Sequence, residues 1–189
     1  MADTNIRVLG ISGSLRKASF NTGLLRAAVQ LAPPNVSIET ADLSAIPLYN
    51  EDVHAQGFPP PVATLRAQVA AADALLIATP EYNYSMPGVL KNAIDWVSRP
   101  PNQPFEGKPL ALMGASPGSL GSARAQYHLR QTAVFLNMYP LNKPEVFVAR
   151  AHERFDGEGN LVDDKVRGYV AQLLTALADW TRLLTSRKA

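Results

Sequence analysis

The sequence predicts a doubly wound α/β domain, an open parallel sheet of five strands with helices on both faces, and three observations predict it. Five short apolar runs alternate with stretches of helical periodicity, the signature of βαβ units. The third run, Ala74-Leu75-Leu76-Ile77-Ala78, is apolar at every position, as a strand covered on both faces must be. The chain has 189 residues, 47% of them hydrophobic and 18% charged. That length suits one domain spanning residues 1–189, burying roughly 70% of its unfolded surface.

The elements follow in order. Ile6 to Ile11 is a β-rich run that stops at a Ser/Gly cluster. A helix starts at about Asn21, with Leu24, Leu25, Ala28 and Leu31 on one face, and Pro33-Pro34 ends it. Val36 to Ala41 alternates like a strand. A Pro-rich loop from Ile46 to Pro61 leads to a helix ending near Ala72, then to the third strand, halted by Thr79-Pro80. Pro87 suits a helix start, and Val89, Leu90, Ala93, Ile94 and Val97 form the apolar stripe behind it. Leu110 to Ala115 is the fourth strand. A Gly/Ser loop and a helix with Tyr127, Val134, Phe135 and Met138 on one side come next. Glu145 to Ala149 is the fifth strand, and Asp156 to Asn160 a turn. The last helix carries Val166, Tyr169, Val170, Leu173, Leu177 and Trp180.

Composition excludes several chemistries. With no cysteine there is no disulfide, thiolate metal site or cysteine nucleophile. Three histidines, His54, His128 and His152, lack metal-ligand spacing. A net charge of +2 without a block of like charges does not point to nucleic acid, and no apolar run has the length of a membrane span or export signal. A cytoplasmic protein is the expectation.

Ligands of such sheets sit outside the carboxyl ends of the strands, so the loops after the first, third and fourth strands matter most. The first runs from Gly10 to Thr22. It joins strand to helix, and Ser14, Ser19, Asn21, Thr22 and Arg16 add donors suited to an anion. No Gly-Lys-Ser/Thr closes it as a nucleotide-binding P-loop, and Gly-x-Gly-x-x-Gly is absent, so one phosphate fits better than a dinucleotide. The second loop, Thr79 to Gly88, brings two aromatics, an amide and a carboxylate to the end of a buried strand. Tyr rings and free backbone groups there suit a flat heterocycle.

Gly13-Ser14-Leu15-Arg16 with Ser19 and Asn21, then Thr79 to Gly88 and Leu90 to Trp96, resembles the NADPH-dependent FMN reductase family, nearest its quinone and chromate reductases. The resemblance spans nearly the whole chain. It implies a flavodoxin-like fold with strand order 2-1-3-4-5, and FMN reduced by NADPH or NADH. Quinones, free flavin, azo dyes or oxidised metals such as chromate would be the acceptors. Ser14, Arg16, Ser19 and Asn21 would take the phosphate; Pro80, Glu81, Tyr82, Asn83 and Tyr84 would border the ring; Ser116 would close the site. The chemistry would be carried by FMN, with no catalytic side chain. A homodimer or homotetramer is implied, with apolar helix faces and the Tyr84–Arg99 region as contact surfaces. His54 sits in a loop that could approach the flavin. Where relatives commonly show two glycines, this chain has Gly121-Ser122.

Two other classes compete. Gly114-Ala115-Ser116-Pro117-Gly118 matches the Gly-x-Ser-x-Gly elbow of serine hydrolases, yet Pro117 and Gly118 prolong the loop. Only Glu145 precedes the last histidine in the right order to complete a triad. A flavodoxin-like electron carrier or flavin-binding module is the other alternative.

Overall fold

The computed structural model describes residues 5–186. Its strands are β1 (Ile6–Ser12), β2 (Val36–Ala41), β3 (Ala74–Ala78), β4 (Pro109–Ala115), β5 (Tyr139–Pro140) and β6 (Val146–Val148). Its helices are α1 (Phe20–Gln30), α2 (Glu51–His54), α3 (Pro60–Ala71), α4 (Gly88–Val97), α5 (Ala123–Phe135) and α6 (Asp164–Ser186). Every strand pairing is parallel, and the sheet runs β2-β1-β3-β4-β5, with β6 also on β4. The order 2-1-3-4-5 therefore holds, with one correction. The fifth position is two short strands on the same edge of β4, at Tyr139–Pro140 and Val146–Val148, rather than a single run from Glu145 to Ala149. Leu110 faces Pro140 but Met113 faces Val146, so the residues between the two short strands outnumber those of β4 opposite them and must leave the ladder.

Successive strand residues point to opposite faces, and the two faces hold separate cores. Val8, Leu76 and Met113 pack with Leu24, Leu25, Leu173 and Leu177 of α1 and α6. Leu9, Leu75, Ile77 and Leu112 pack with Leu65, Val69, Leu90, Ile94 and Leu129 of α3, α4 and α5. The β3 run is buried at all five positions, as its sequence demands. Trp96 is fully buried, and its indole N–H donates to the Pro47 carbonyl at 2.8 Å. Trp180 similarly ties α6 to β5, donating to Tyr139 O at 2.9 Å.

The α5 expectation needs revision. The helix ends at Phe135, before Met138, and Tyr127, Val134 and Phe135 face outward, Phe135 with 86% of its surface exposed. Its buried residues are Ala125, Gln126, Leu129 and Ala133. Gln126 is tolerated inside because its amide donates to Ser122 Oγ and Val146 O. The Ile46–Pro61 loop also contains the four-residue helix α2, capped by the Asn50 side chain on Asp52 N–H.

Candidate active site

The order β2-β1-β3-β4 places the loops after β1, β3 and β4 side by side at the carboxyl ends of adjacent strands. The first loop is shaped by its own hydroxyls. Gly13 N–H reaches Ala78 O at 2.8 Å, which holds the loop against the end of β3. Ser12 Oγ lies 3.0 Å from Thr22 Oγ1 and 3.3 Å from Ser14 N. Ser14 Oγ accepts from Arg16 N at 3.4 Å. Ser19 is the N-cap of α1: it is buried, extended in backbone, and its Oγ accepts from Thr22 N. The first turn of α1 carries no acidic residue. Its leading N–H groups have no acceptor within the helix, so the loop presents a positive end. Arg16 is exposed above it, its guanidinium 4.9 Å from the Phe20 ring, and no described carboxylate pairs with it. A groove of about 580 Å³, bordered by Ser14, Arg16, Thr22, Val29 and Asp42, opens beside the loop.

Asn21 is not available in the way its place in the motif suggests. Its side chain is buried, donates to Ala115 O at 3.0 Å and accepts from Ala115 N at 2.9 Å. The last β3–β4 register pair is Ala78↔Met113, so β3 ends before it can serve Ala115. The Asn21 amide stands in for the missing strand residue. What it can offer an anion is its main-chain N–H in the first turn of α1.

The second loop leaves β3 through buried Thr79 and Pro80, with Thr79 Oγ1 donating to Pro80 O at 2.8 Å. Tyr82 and Ser85 exchange two main-chain hydrogen bonds of 3.0 Å around Asn83 and Tyr84. Those two central residues have φ of 49° and 68°. This is a two-residue turn of the I′ kind, and Asn at its first central position is a favoured choice. The turn lifts Tyr82 and Tyr84 onto the open surface. The Arg124 guanidinium stacks on the Tyr84 ring at 3.5 Å. Ser85 Oγ lies 2.9 Å from His128 Nδ1.

Glu81 turns away from this surface. Its carboxylate accepts from the main-chain N–H groups of Arg124 and Ala125 at the start of α5, and pairs with the Arg124 guanidinium. Both oxygens are engaged, and the ion pair raises the Arg124 pKa above its ordinary value. Glu81 thus caps α5 and fastens the second loop to the third.

The third loop follows β4. Ser116 N donates to Val148 O and Ala151 N to Ser116 O, both at 3.0 Å, while Ser116 Oγ accepts from Gly118 N at 3.2 Å. α5 begins only at Ala123. No histidine hydrogen-bonds Ser116: His128 meets Ser85 and His152 pairs with Glu153. Glu145 is engaged by Tyr127 and Lys143. The geometry is therefore not a nucleophile elbow with a triad. Ser122 has φ of 70°, a left-handed conformation that glycine adopts without strain. Gly121, at φ 54°, leaves no room for a side chain, since a Cβ would lie 2.5 Å from Phe147 C.

His54 lies outside this group of loops. It packs with Tyr49, Phe58 and Trp96, and its ring contacts Pro100 O at 3.2 Å. Sequence reasoning singled out neither Arg124 nor the Ser85–His128 pair, because their partners are 40 or more residues away. The described residues contain no group of His, Asp and Glu able to hold a metal ion, and no helix long and apolar enough to cross a membrane.

Known proteins share this architecture. The chain is 64% identical over 180 residues to an NAD(P)H-dependent FMN reductase of Pseudomonas aeruginosa, covering 95% of this chain and 97% of that protein. It is 46% identical over 189 residues to an NADPH:quinone oxidoreductase of Arabidopsis thaliana, covering 96% and 95% of the two chains. A solved flavoenzyme NAD(P)H:(acceptor) oxidoreductase from Paracoccus denitrificans superposes with a TM-score of 0.84 at 35% identity, over 94% of this chain and 97% of that one. The family model for NADPH-dependent FMN reductase matches residues 6–153, the stretch that contains all three loops. By these relationships, and by a flavodoxin-like sheet with its loops gathered at one edge, the chain belongs to the NADPH-dependent FMN reductase family.

Proposed function

We propose that the protein is an NAD(P)H-dependent quinone reductase whose three loops hold one FMN. The observation that carries this reading is the first loop. A helix N-terminus without acidic residues, Ser and Thr hydroxyls and the carboxylate-free Arg16 converge where a phosphate would be held. The chemistry of the donor set fits the group. Ser14, Ser19, Arg16 and the Asn21 main-chain N–H would bind the phosphate. Pro80, the Glu81 backbone, Tyr82, Asn83 and Tyr84 would border the flavin ring, and Ser116 would close its far side.

When bound, FMN supplies two-electron transfer between the pyridine nucleotide and the acceptor. The chain's part is positional. The Tyr82–Ser85 turn and the Glu81–Arg124 pair fix the second loop against α5, and the Ser116–Val148 bond fixes the third. Names of relatives favour quinones as acceptors; free flavin, azo dyes and chromate belong to the same two-electron repertoire. The exposed Val134 and Phe135 of α5 favour a homodimer or homotetramer, and a cytoplasmic setting is part of the proposal.

Donor and acceptor would use one site in turn. Steady-state plots against NAD(P)H at several quinone concentrations should be parallel lines. Lines that intersect to the left of the ordinate would count against the alternating use of one site.

A further inference from the structure

Two-electron reduction of a quinone needs a proton as well as a hydride: Q + NAD(P)H + H⁺ → QH2 + NAD(P)⁺. NAD(P)H accounts for the hydride. The proton must reach a quinone oxygen from a group beside it, and most ionisable side chains near the second loop are committed. Glu81 has both oxygens on α5 and Arg124. The Tyr127 hydroxyl donates to Glu145, which also pairs with Lys143. Arg124 is paired with Glu81, and Arg130 donates to Leu141 O. His54 and His152 are engaged elsewhere.

His128 is different. It is exposed on α5, and its Nδ1 lies 2.9 Å from the hydroxyl of Ser85. Ser85 is the last residue of the Tyr82–Ser85 turn, half-buried beside the aromatic pair. An imidazole has two ring nitrogens, so it can give a proton from one and take one up again from solvent.

We infer that Ser85 and His128 form a proton relay to the acceptor. The Ser85 hydroxyl gives its proton to one quinone oxygen as the hydride equivalent is delivered. Ser85 Oγ takes a proton from Nδ1 of the His128 imidazolium in the same step. His128, left neutral, regains its proton from water after the hydroquinone departs. Ser85 is then the catalytic residue and His128 acts through it. The inference rests on the second loop bordering the flavin, as proposed above.

The test uses the FMN-loaded protein and two acceptors. A quinone needs the proton; ferricyanide takes one electron and none. In His128→Ala, His128→Gln and Ser85→Ala, quinone kcat/KM should fall roughly 100-fold relative to ferricyanide kcat/KM, the lower end for general acid catalysis. Added imidazole should restore His128→Ala with quinone in proportion to its protonated fraction. Apart from turnover, the ring ¹⁵N shifts of His128 should move in Ser85→Ala and on adding hydroquinone. Equal losses with both acceptors, or ¹⁵N shifts indifferent to Ser85, would overturn the relay. A quinone-selective loss in Tyr82→Phe with none in His128→Ala would overturn it in favour of a phenol donor. Wild-type protein that takes up no FMN would overturn the flavin reading itself, and the relay with it.

Discussion

Replacing Asn21 with alanine should harm the fold before it harms any ligand contact. The side chain is 3% exposed and makes two hydrogen bonds, both to the main chain of Ala115. Truncation leaves one N–H and one C=O at the end of β4 without partners, where β3 no longer reaches. Leaving a buried polar group unsatisfied costs about 1–3 kcal/mol. A water entering the vacated space would recover part of this, so about 2–4 kcal/mol is expected for the pair. For a chain of this size, each kcal/mol lowers Tm by about 2–4 °C, so the midpoint should drop by roughly 4–16 °C. Differential scanning fluorimetry of the FMN-free protein measures this without interference from ligand linkage. Asn21→Asp is the sharper companion. It keeps an acceptor for Ala115 N–H but sets a carboxylate oxygen against Ala115 O, so it should be no better than alanine at neutral pH. A flavin-free Asn21→Ala protein as stable as wild type, but defective in FMN binding, would refute the assignment and return the side chain to the phosphate.

Arg16→Ala should weaken FMN roughly tenfold by loss of a charge-assisted contact, reduced by exposure, while riboflavin, which lacks phosphate, should hardly respond; equal losses for both flavins would make Arg16 a loop-shaping residue. Ser116→Ala removes only the acceptor of Gly118 N–H. It should keep most NAD(P)H oxidation, and esterase activity that vanishes with it would revive the hydrolase alternative. Asp163 caps the start of α6, accepting from Val166 N at 2.9 Å and pairing with Arg154 at 2.6 Å. The Val166 N–H, with help from Arg154, holds its carboxyl below the ordinary value. A carboxyl lowered on folding stabilises above its unfolded pKa of about 4, and that stabilisation disappears as pH falls through the folded value. Asp163→Ala should therefore lower Tm at pH 7 and converge on wild type in acid, as thermal melts at several pH values would read out; a deficit of constant size across pH would contradict the cap.

The central sheet is legible because its strands are apolar runs with few alternatives. Ala74–Ala78 can be satisfied only between two covered faces, and α1 and α6 carry apolar positions at helical spacing. α5 misleads because Tyr127, Val134 and Phe135 lie on the exposed side while Ala125, Gln126, Leu129 and Ala133 form the packed one. No local pattern reveals that Gln126 is satisfied by Ser122 and Val146. The split edge strand comes from a register offset between its two halves, which shows only once β4 is known to be the partner. At the site, the loops are legible as loops; the direction of each side chain is not. Asn21 stands among phosphate-type donors in sequence, yet its partner Ala115 is 94 residues away. Glu81 looks like a free acid until α5 arrives 43 residues later to be capped. The Ser85–His128 pair has the same separation and the same invisibility.

Flavin content and its reduction decide whether the protein is an FMN-dependent reductase. The protein, purified without added flavin and reconstituted with FMN, should be yellow and release one FMN per chain on denaturation. Under anaerobic conditions NADPH or NADH alone should bleach it, and a quinone added afterwards should restore the colour. A colourless protein that FMN cannot reconstitute, or a yellow one that stays oxidised until quinone and NAD(P)H are both present, would contradict the account.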